Sequence, residues 1–113
     1  MKDVYKMYDI EQIPKYTKIV GNSFKEQQQY ISKLEINDYL YLKREYHNPY
    51  DKCAILVMKN NLKLGYIPKY ISKKLASQLD NLIYYHAIVK NITGKEQQNK
   101  GVNIQIIFDK CDI

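Results

Sequence analysis

Apolar side chains along this chain recur mostly with a period of two, the spacing that sets alternate residues on opposite faces of a strand. The cleanest alternation lies near the C-terminus, where Val102, Ile104, Ile106 and Phe108 interleave with Asn103 and Gln105. Tyr39 to Tyr46 repeats it, with Leu40 and Leu42 pointing one way and Tyr41, Lys43 and Glu45 the other. Ala54 to Met58 is an unbroken apolar run bounded by turn residues, too short for a helix, and reads as a buried strand. Lys59-Asn60-Asn61 is a hairpin loop, after which Leu62 to Ile67 returns antiparallel. Tyr16 to Gly21 and Ile83 to Ile92 supply further strands.

Helical spacing is strongest after Pro68, where Ile71, Leu75, Leu79 and Leu82 fall at i, i+4, i+8 and i+11 and form one stripe. A shorter helix is expected through Gln27 to Leu34, capped by Asn22-Ser23, with Phe24, Tyr30, Ile31 and Leu34 as its apolar members. The pattern predicts a mainly β domain of the α+β class, with about six strands, one or two helices, and a closed or nearly closed small barrel. Met1 to Lys15 is polar, carries Pro14 and has no clear period, so residues 1–15 are expected to form an N-terminal arm outside a 16–113 domain. Thr93 to Gly101 is polar and glycine-bearing, and is expected to be a mobile loop.

Between two of these strands stands a turn. Asn48-Pro49 must bend the chain, because proline fixes φ and disfavours the helical region for the residue before it. The following residues place a carboxamide (Asn48), a phenol (Tyr50) and a carboxylate (Asp51) close together, anchored to the core by the apolar strand. Such a cluster suits either of two tasks. Asn48 and Asp51 can close the turn on its own backbone N–H groups, or they can bind a ligand beside the aromatic ring.

Composition sharpens the choice of partner. Seventeen lysines and one arginine against twelve acids give a net charge of +6, which favours polyanions or an acidic surface. Twelve tyrosines, with two phenylalanines and no tryptophan, are more distinctive. Aromatic and basic side chains together are what single-strand nucleic-acid binders use, although about half of these tyrosines are expected to line the core with their hydroxyls at its rim. Cys53 and Cys111 lack any metal-ligand spacing, so reduced thiols, a cytoplasmic location and no metal are expected. No apolar run approaches the ~20 residues of a membrane span.

The order of these motifs resembles the HIRAN domain. It is carried by Ile19-Val20-Gly21 with Phe24, Leu42-Lys43-Arg44-Glu45, Asn48-Pro49-Tyr50-Asp51-Lys52 with Ala54-Ile55, and Leu64-Gly65-Tyr66-Ile67-Pro68 before a helix, over roughly Lys18 to Phe108. The resemblance implies an OB-like barrel that grips the 3′ end of single-stranded DNA. It implies that Phe24 stacks a base, that Asn48, Tyr50 and Asp51 hold the strand end, and that Lys69 contacts the backbone. Lys25 stands where a second aromatic is found, His47 where the DNA-binding eukaryotic form has an asparagine, and Ser23 where it has a basic residue. Arg44 joins Lys25 and Lys69 as a candidate phosphate contact.

Catalysis finds little support. His47 beside Asp51, with His86 on a later strand, is the nearest acid/base candidate, and each histidine has a simpler reading as a polar rim residue. No P-loop, dinucleotide glycine pattern or His-Glu-x-x-His occurs, so neither enzymatic activity nor a cofactor is expected. Two functions from different classes remain: a binding module for single-stranded DNA with a free 3′ end, and a protein-interaction module that docks a replication, repair or phage protein on a tyrosine-rich face. No membrane partner is expected.

Overall fold

The computed structural model describes residues 12–94 and 99–109. Most of the expected N-terminal arm, the centre of the polar loop expected to be mobile (residues 95–98) and Cys111 lie outside the described residues. Within them the chain runs β1 (Tyr16–Lys18), α1 (Lys25–Ile31), β2 (Tyr39–Arg44), β3 (Ile55–Lys59), β4 (Leu62–Tyr66), α2 (Lys69–Asp80), β5 (Tyr85–Thr93) and β6 (Gly101–Phe108).

The strands form one antiparallel sheet in the order β1-β6-β5-β2-β3-β4. Right-handed twist and bulges at Val57/Met58 and Val89/Asn91 curl it. The two outer edges meet just past β1, where Val20 pairs with Tyr66 through two backbone hydrogen bonds of 2.8 and 2.7 Å. That single bridge closes the sheet into a small OB-like barrel.

Its interior is filled as the alternation requires. Val102, Ile104 and Ile106 of β6, Leu40 of β2 and Ile55 and Val57 of β3 are buried in one cluster. Helix α2 packs Ile71, Leu75 and Leu79 into that core while Lys69, Lys73 and Lys74 face solvent. A buried hydrogen bond of 2.5 Å from the Tyr85 hydroxyl to Gln78 Oε1 pins α2 to β5, and burial pushes the Tyr85 phenol up to about 12.

Three expectations need correction. Leu82 does not continue the α2 stripe: the helix stops at Asp80, Leu82 turns out with φ 65°, and its side chain is 71% exposed. Helix α1 begins at Lys25, with Phe24 as N-cap in place of Asn22-Ser23, because the Asn22 amide is bonded to the Lys100 carbonyl. Tyrosines line the core less than expected. Among the described residues only Tyr85 is buried, Tyr30 and Tyr66 are half-buried, and the others are exposed.

Ile13 is buried in the core although it precedes the first strand. Among the described residues no helix is long and apolar enough to cross a membrane.

Candidate nucleic-acid interface

The loop joining β2 to β3 spans the Asn48-Pro49-Tyr50-Asp51 turn, and its conformation follows from its own polar groups. At the neck, Glu45 N–H donates to the Ala54 carbonyl at 3.0 Å. Asn48 Oδ1 accepts the backbone N–H groups of Tyr50 (2.8 Å) and Asp51 (2.9 Å), and Asp51 Oδ1 accepts that of Cys53 (2.9 Å). These are the turn-closing bonds that asparagine and aspartate make because their short side chains reach the amides two or three residues on. Both residues therefore shape the loop, and only part of each remains for a ligand.

Two charged residues brace the loop from opposite sides. The Arg44 guanidinium donates to the carbonyls of Ala54 (2.7 Å) and Lys52 (2.9 Å) and pairs through Nε with Asp80 at 3.0 Å. It also lies over the Tyr46 ring, 4.6 Å from the centroid, while the Tyr46 hydroxyl donates to Asp80. Burial alone would raise the Asp80 carboxyl; the bonds from Arg44 and Tyr46 outweigh it and hold the pKa below the ordinary value. Glu45 supports the other side. Its Oε1 accepts from Asn48 Nδ2 and from the Tyr66 hydroxyl, each at 2.8 Å, and its Oε2 lies 3.8 Å from Lys63 Nζ. Burial again acts upward on Glu45, but Tyr66, Asn48 and Lys63 together lower it. Burial and then the bond to Glu45 raise the Tyr66 phenol.

Between this loop, the closing bridge and the start of α2 lies a cleft of about 270 Å³. Asn48, Tyr50, Asp51 and Lys69 line it, together with Val20, Ala54, Tyr66 and Ile67. Four of the residues singled out from the sequence thus converge on one hollow. Tyr50 is 89% exposed, so its ring is free to stack, and Lys69 is the exposed first residue of α2.

The remaining candidates lie elsewhere. Phe24, 72% exposed, lines a separate hollow of about 360 Å³ with Tyr30, Leu62 and Lys63. It is held there because Gln28 and Asn22 both bond the Lys100 backbone and tie the loop after β1 to the start of β6. Lys63 lines this second hollow and pairs with Glu45, which in turn bonds Asn48 and Tyr66 of the first. Lys25 is exposed beside Phe24. His47 is exposed on the loop and does not line the cleft. His86 is bonded to Asp109 and stacked on Tyr39 with centroids 4.6 Å apart. Among the described residues no group of histidines, cysteines and carboxylates is placed to hold a metal ion.

Two residues were absent from the expected site: Tyr66, which lines the cleft, and Glu45, which does not line it but bonds Tyr66 and Asn48. Tyr66 and Glu45 carry the hydrogen-bond network under the loop, yet the period-two pattern only sets Glu45 on the outer face with Tyr41 and Lys43. The signal available was the spacing of Glu45 to Asn48, three residues apart across a turn.

A small OB-like barrel with a braced polar loop at its closing bridge is a binding scaffold. The family model of the HIRAN domain matches residues 15–109, and the chain belongs to the HIRAN domain family. That domain is known as a DNA-binding module, a property carried here at the level of the family. Two solved structures share the fold. A protein from Lactobacillus plantarum is 24% identical with a TM-score of 0.66, covering 83% of this chain and 93% of its own. The HIRAN domain of human HLTF is 24% identical with a TM-score of 0.60, covering 84% and 75% respectively. No curated protein sequence matches the chain.

Proposed function

We propose that this chain is a single-stranded DNA-binding module that receives a free 3′-hydroxyl end in the cleft beside the Asn48 to Asp51 turn. The observation that carries the reading is the convergence of Asn48, Tyr50, Asp51 and Lys69 on one hollow in a chain of the HIRAN family. Tyr50 stacks the terminal base, Phe24 a base further along, and the Lys69 ammonium contacts a phosphate. Lys25 adds charge beside Phe24, and His47 lies at the loop's outer edge. Arg44 acts through the loop it braces, since its guanidinium is engaged by Asp80 and two carbonyls.

Asp51 chooses the end. One of its oxygens takes the Cys53 N–H, and the other accepts a hydrogen bond from a 3′-hydroxyl. A strand that continues, or one that ends in phosphate, sets a second anion there instead. Two unit charges about 4 Å apart repel by about 4 kcal/mol at an effective dielectric of 20, and a several-fold discount for salt and water leaves roughly tenfold discrimination. A 3′-phosphorylated oligonucleotide is thus expected to bind at least about tenfold more weakly than its 3′-hydroxyl twin, a gap of ~1.4 kcal/mol, and Asp51→Asn to narrow it. Equal affinity of the wild-type protein for the two would sink the mechanism. The log–log salt slope is expected near −0.7 per phosphate contacted, roughly −2 for three contacts.

One observation favours a second reading, a protein-docking module. Tyr41, Tyr46, Tyr84 and Leu82 flank an open groove of about 840 Å³ on the outside of the barrel, an aromatic surface of the kind that anchors protein partners such as a replication, repair or phage factor. A salt slope near zero, or no single-strand binding at low salt, would favour it.

A further inference from the structure

Glu45 ties together two side chains that line the cleft, Asn48 and Tyr66. Both the Tyr66 hydroxyl and the Asn48 amide nitrogen donate to the same Glu45 oxygen, at 2.8 Å each. The Asn48 amide also acts on the Tyr66 hydroxyl, opposing the rise in its pKa. Because Nδ2 of Asn48 is drawn to Glu45, Oδ1 must face the amides of Tyr50 and Asp51, where it is found. Because the Tyr66 proton points to Glu45, the phenol meets the cleft only as an acceptor. The other acceptor is the carboxylate of Asp51, which has one oxygen on the Cys53 N–H. Around the end of a bound strand, then, Asp51 of the loop and Tyr66 of β4 offer acceptors. The Tyr50 hydroxyl can donate or accept, and the Lys69 ammonium donates from where α2 begins.

We propose that Glu45 is the positioning residue that sets the hydrogen-bond polarity of the cleft. By taking the protons of Tyr66 and Asn48, it leaves an acceptor-lined wall that holds a ligand through a donating hydroxyl and refuses a terminal phosphate, which has only acceptors to offer at neutral pH. The inference rests on the 3′-end reading and adds a residue that touches no ligand. It also separates two effects of one carboxylate. If polarity is what matters, the negative charge of Glu45 is dispensable as long as an acceptor oxygen stays in place, and glutamine supplies one.

The test is the ratio of affinities for a 3′-hydroxyl and a 3′-phosphorylated single strand, measured by fluorescence anisotropy on the wild-type chain, Glu45→Gln, Glu45→Ala and Tyr66→Phe. All are compared below their own melting transitions. Wild type is expected to prefer the hydroxyl strand at least about tenfold, Glu45→Gln to keep that ratio within about threefold, and Glu45→Ala to fall below about threefold in all. Tyr66→Phe removes one acceptor and narrows the ratio as well, which decides the matter if Glu45→Ala does not fold. A merely structural Glu45 lowers the melting temperature and scales both affinities together with the ratio intact, which overturns the proposal. Loss of the ratio in Glu45→Gln as complete as in Glu45→Ala overturns it too, in favour of plain charge repulsion. Either of these results leaves end recognition itself standing, whereas equal binding of both strands by the wild-type protein removes the end reading and this inference with it.

Discussion

Replacing Gly65 with alanine perturbs the one point at which the barrel closes. A Cβ on residue 65 would sit 2.6 Å from the Val20 carbonyl oxygen, with Asn22 Cβ at 3.3 Å and Ile19 Cδ1 at 3.4 Å behind it. That oxygen is backbone and cannot rotate away; it is also the acceptor of the Tyr66 N–H at 2.7 Å. The methyl group therefore prises Val20 from Tyr66. Two backbone hydrogen bonds at about 1 kcal/mol each are weakened or lost. Overpacking strain of about 1 to 3 kcal/mol adds to this, and the smaller unfolded-state entropy of alanine offsets about 0.4 to 1 kcal/mol. The net cost is about 2 to 4.5 kcal/mol. At about 4 °C per kcal/mol for a domain near this size, the melting temperature should fall by about 8 to 18 °C. Val20 and Tyr66 also line the cleft, so single-strand affinity at a temperature where the variant is folded should fall as well. Circular dichroism melts and an anisotropy titration read the two effects. A drop of less than about 3 °C, with unchanged affinity, would refute the claim that this approach closes the barrel.

Other outcomes follow from the same geometry. Tyr50→Ala and Phe24→Ala should each weaken single-strand binding by about 1 to 3 kcal/mol, the usual loss for a stacked base, with melting temperatures unchanged because both rings are exposed; binding that falls only as stability falls would place them in the core. Arg44→Lys cannot reproduce two carbonyl bonds from one fork, and should cost about 1 to 3 kcal/mol in chemical denaturation, with the half-exposed Asp80 contact adding little. An unchanged midpoint would count against the brace. Asp38, Glu45 and Asp80 all have folded pKa values below their ordinary ones, Asp38 through its bonds from Lys59 and the Glu35 N–H. Lowered carboxylates stabilise the fold above their unfolded pKa and lose that contribution as pH falls through the folded value, so melting temperature should drop steeply below about pH 4. In Asp80→Asn that slope should be shallower, and an identical profile would mean that Asp80 is not perturbed.

Much of the barrel could be read before its structure, because its strands bury one face. Val102, Ile104 and Ile106 alternate with polar neighbours, and Ile55 to Met58 have no polar face to confuse the period. Leu82 misled for a physical reason: the i+11 projection assumes a helix that continues, whereas this one ends at Asp80. The bridge from Val20 to Tyr66 leaves no periodic trace, being a single pair of residues, and only the glycine before Tyr66 hints at a close approach. At the site, Asn48, Tyr50 and Asp51 were visible as a cluster because the turn confines them to four residues. Glu45 was not, since its role depends on the loop folding back over the strand that carries it and on Tyr66 arriving from another strand.

The braces on the β2 to β3 loop bear on time as well as on geometry. With its neck closed by Glu45 and Ala54, and its carbonyls held by Arg44, the loop is already in one conformation before any ligand arrives. Ordering a flexible segment on contact would cost about 1 to 2 kcal/mol for each backbone residue fixed, and here that cost belongs to folding instead. Encounter is then free of a slow conformational gate. On the proposed reading its rate is expected to follow diffusion and the attraction of a basic protein for an anion, with changes to the cleft expressed in the lifetime of the complex.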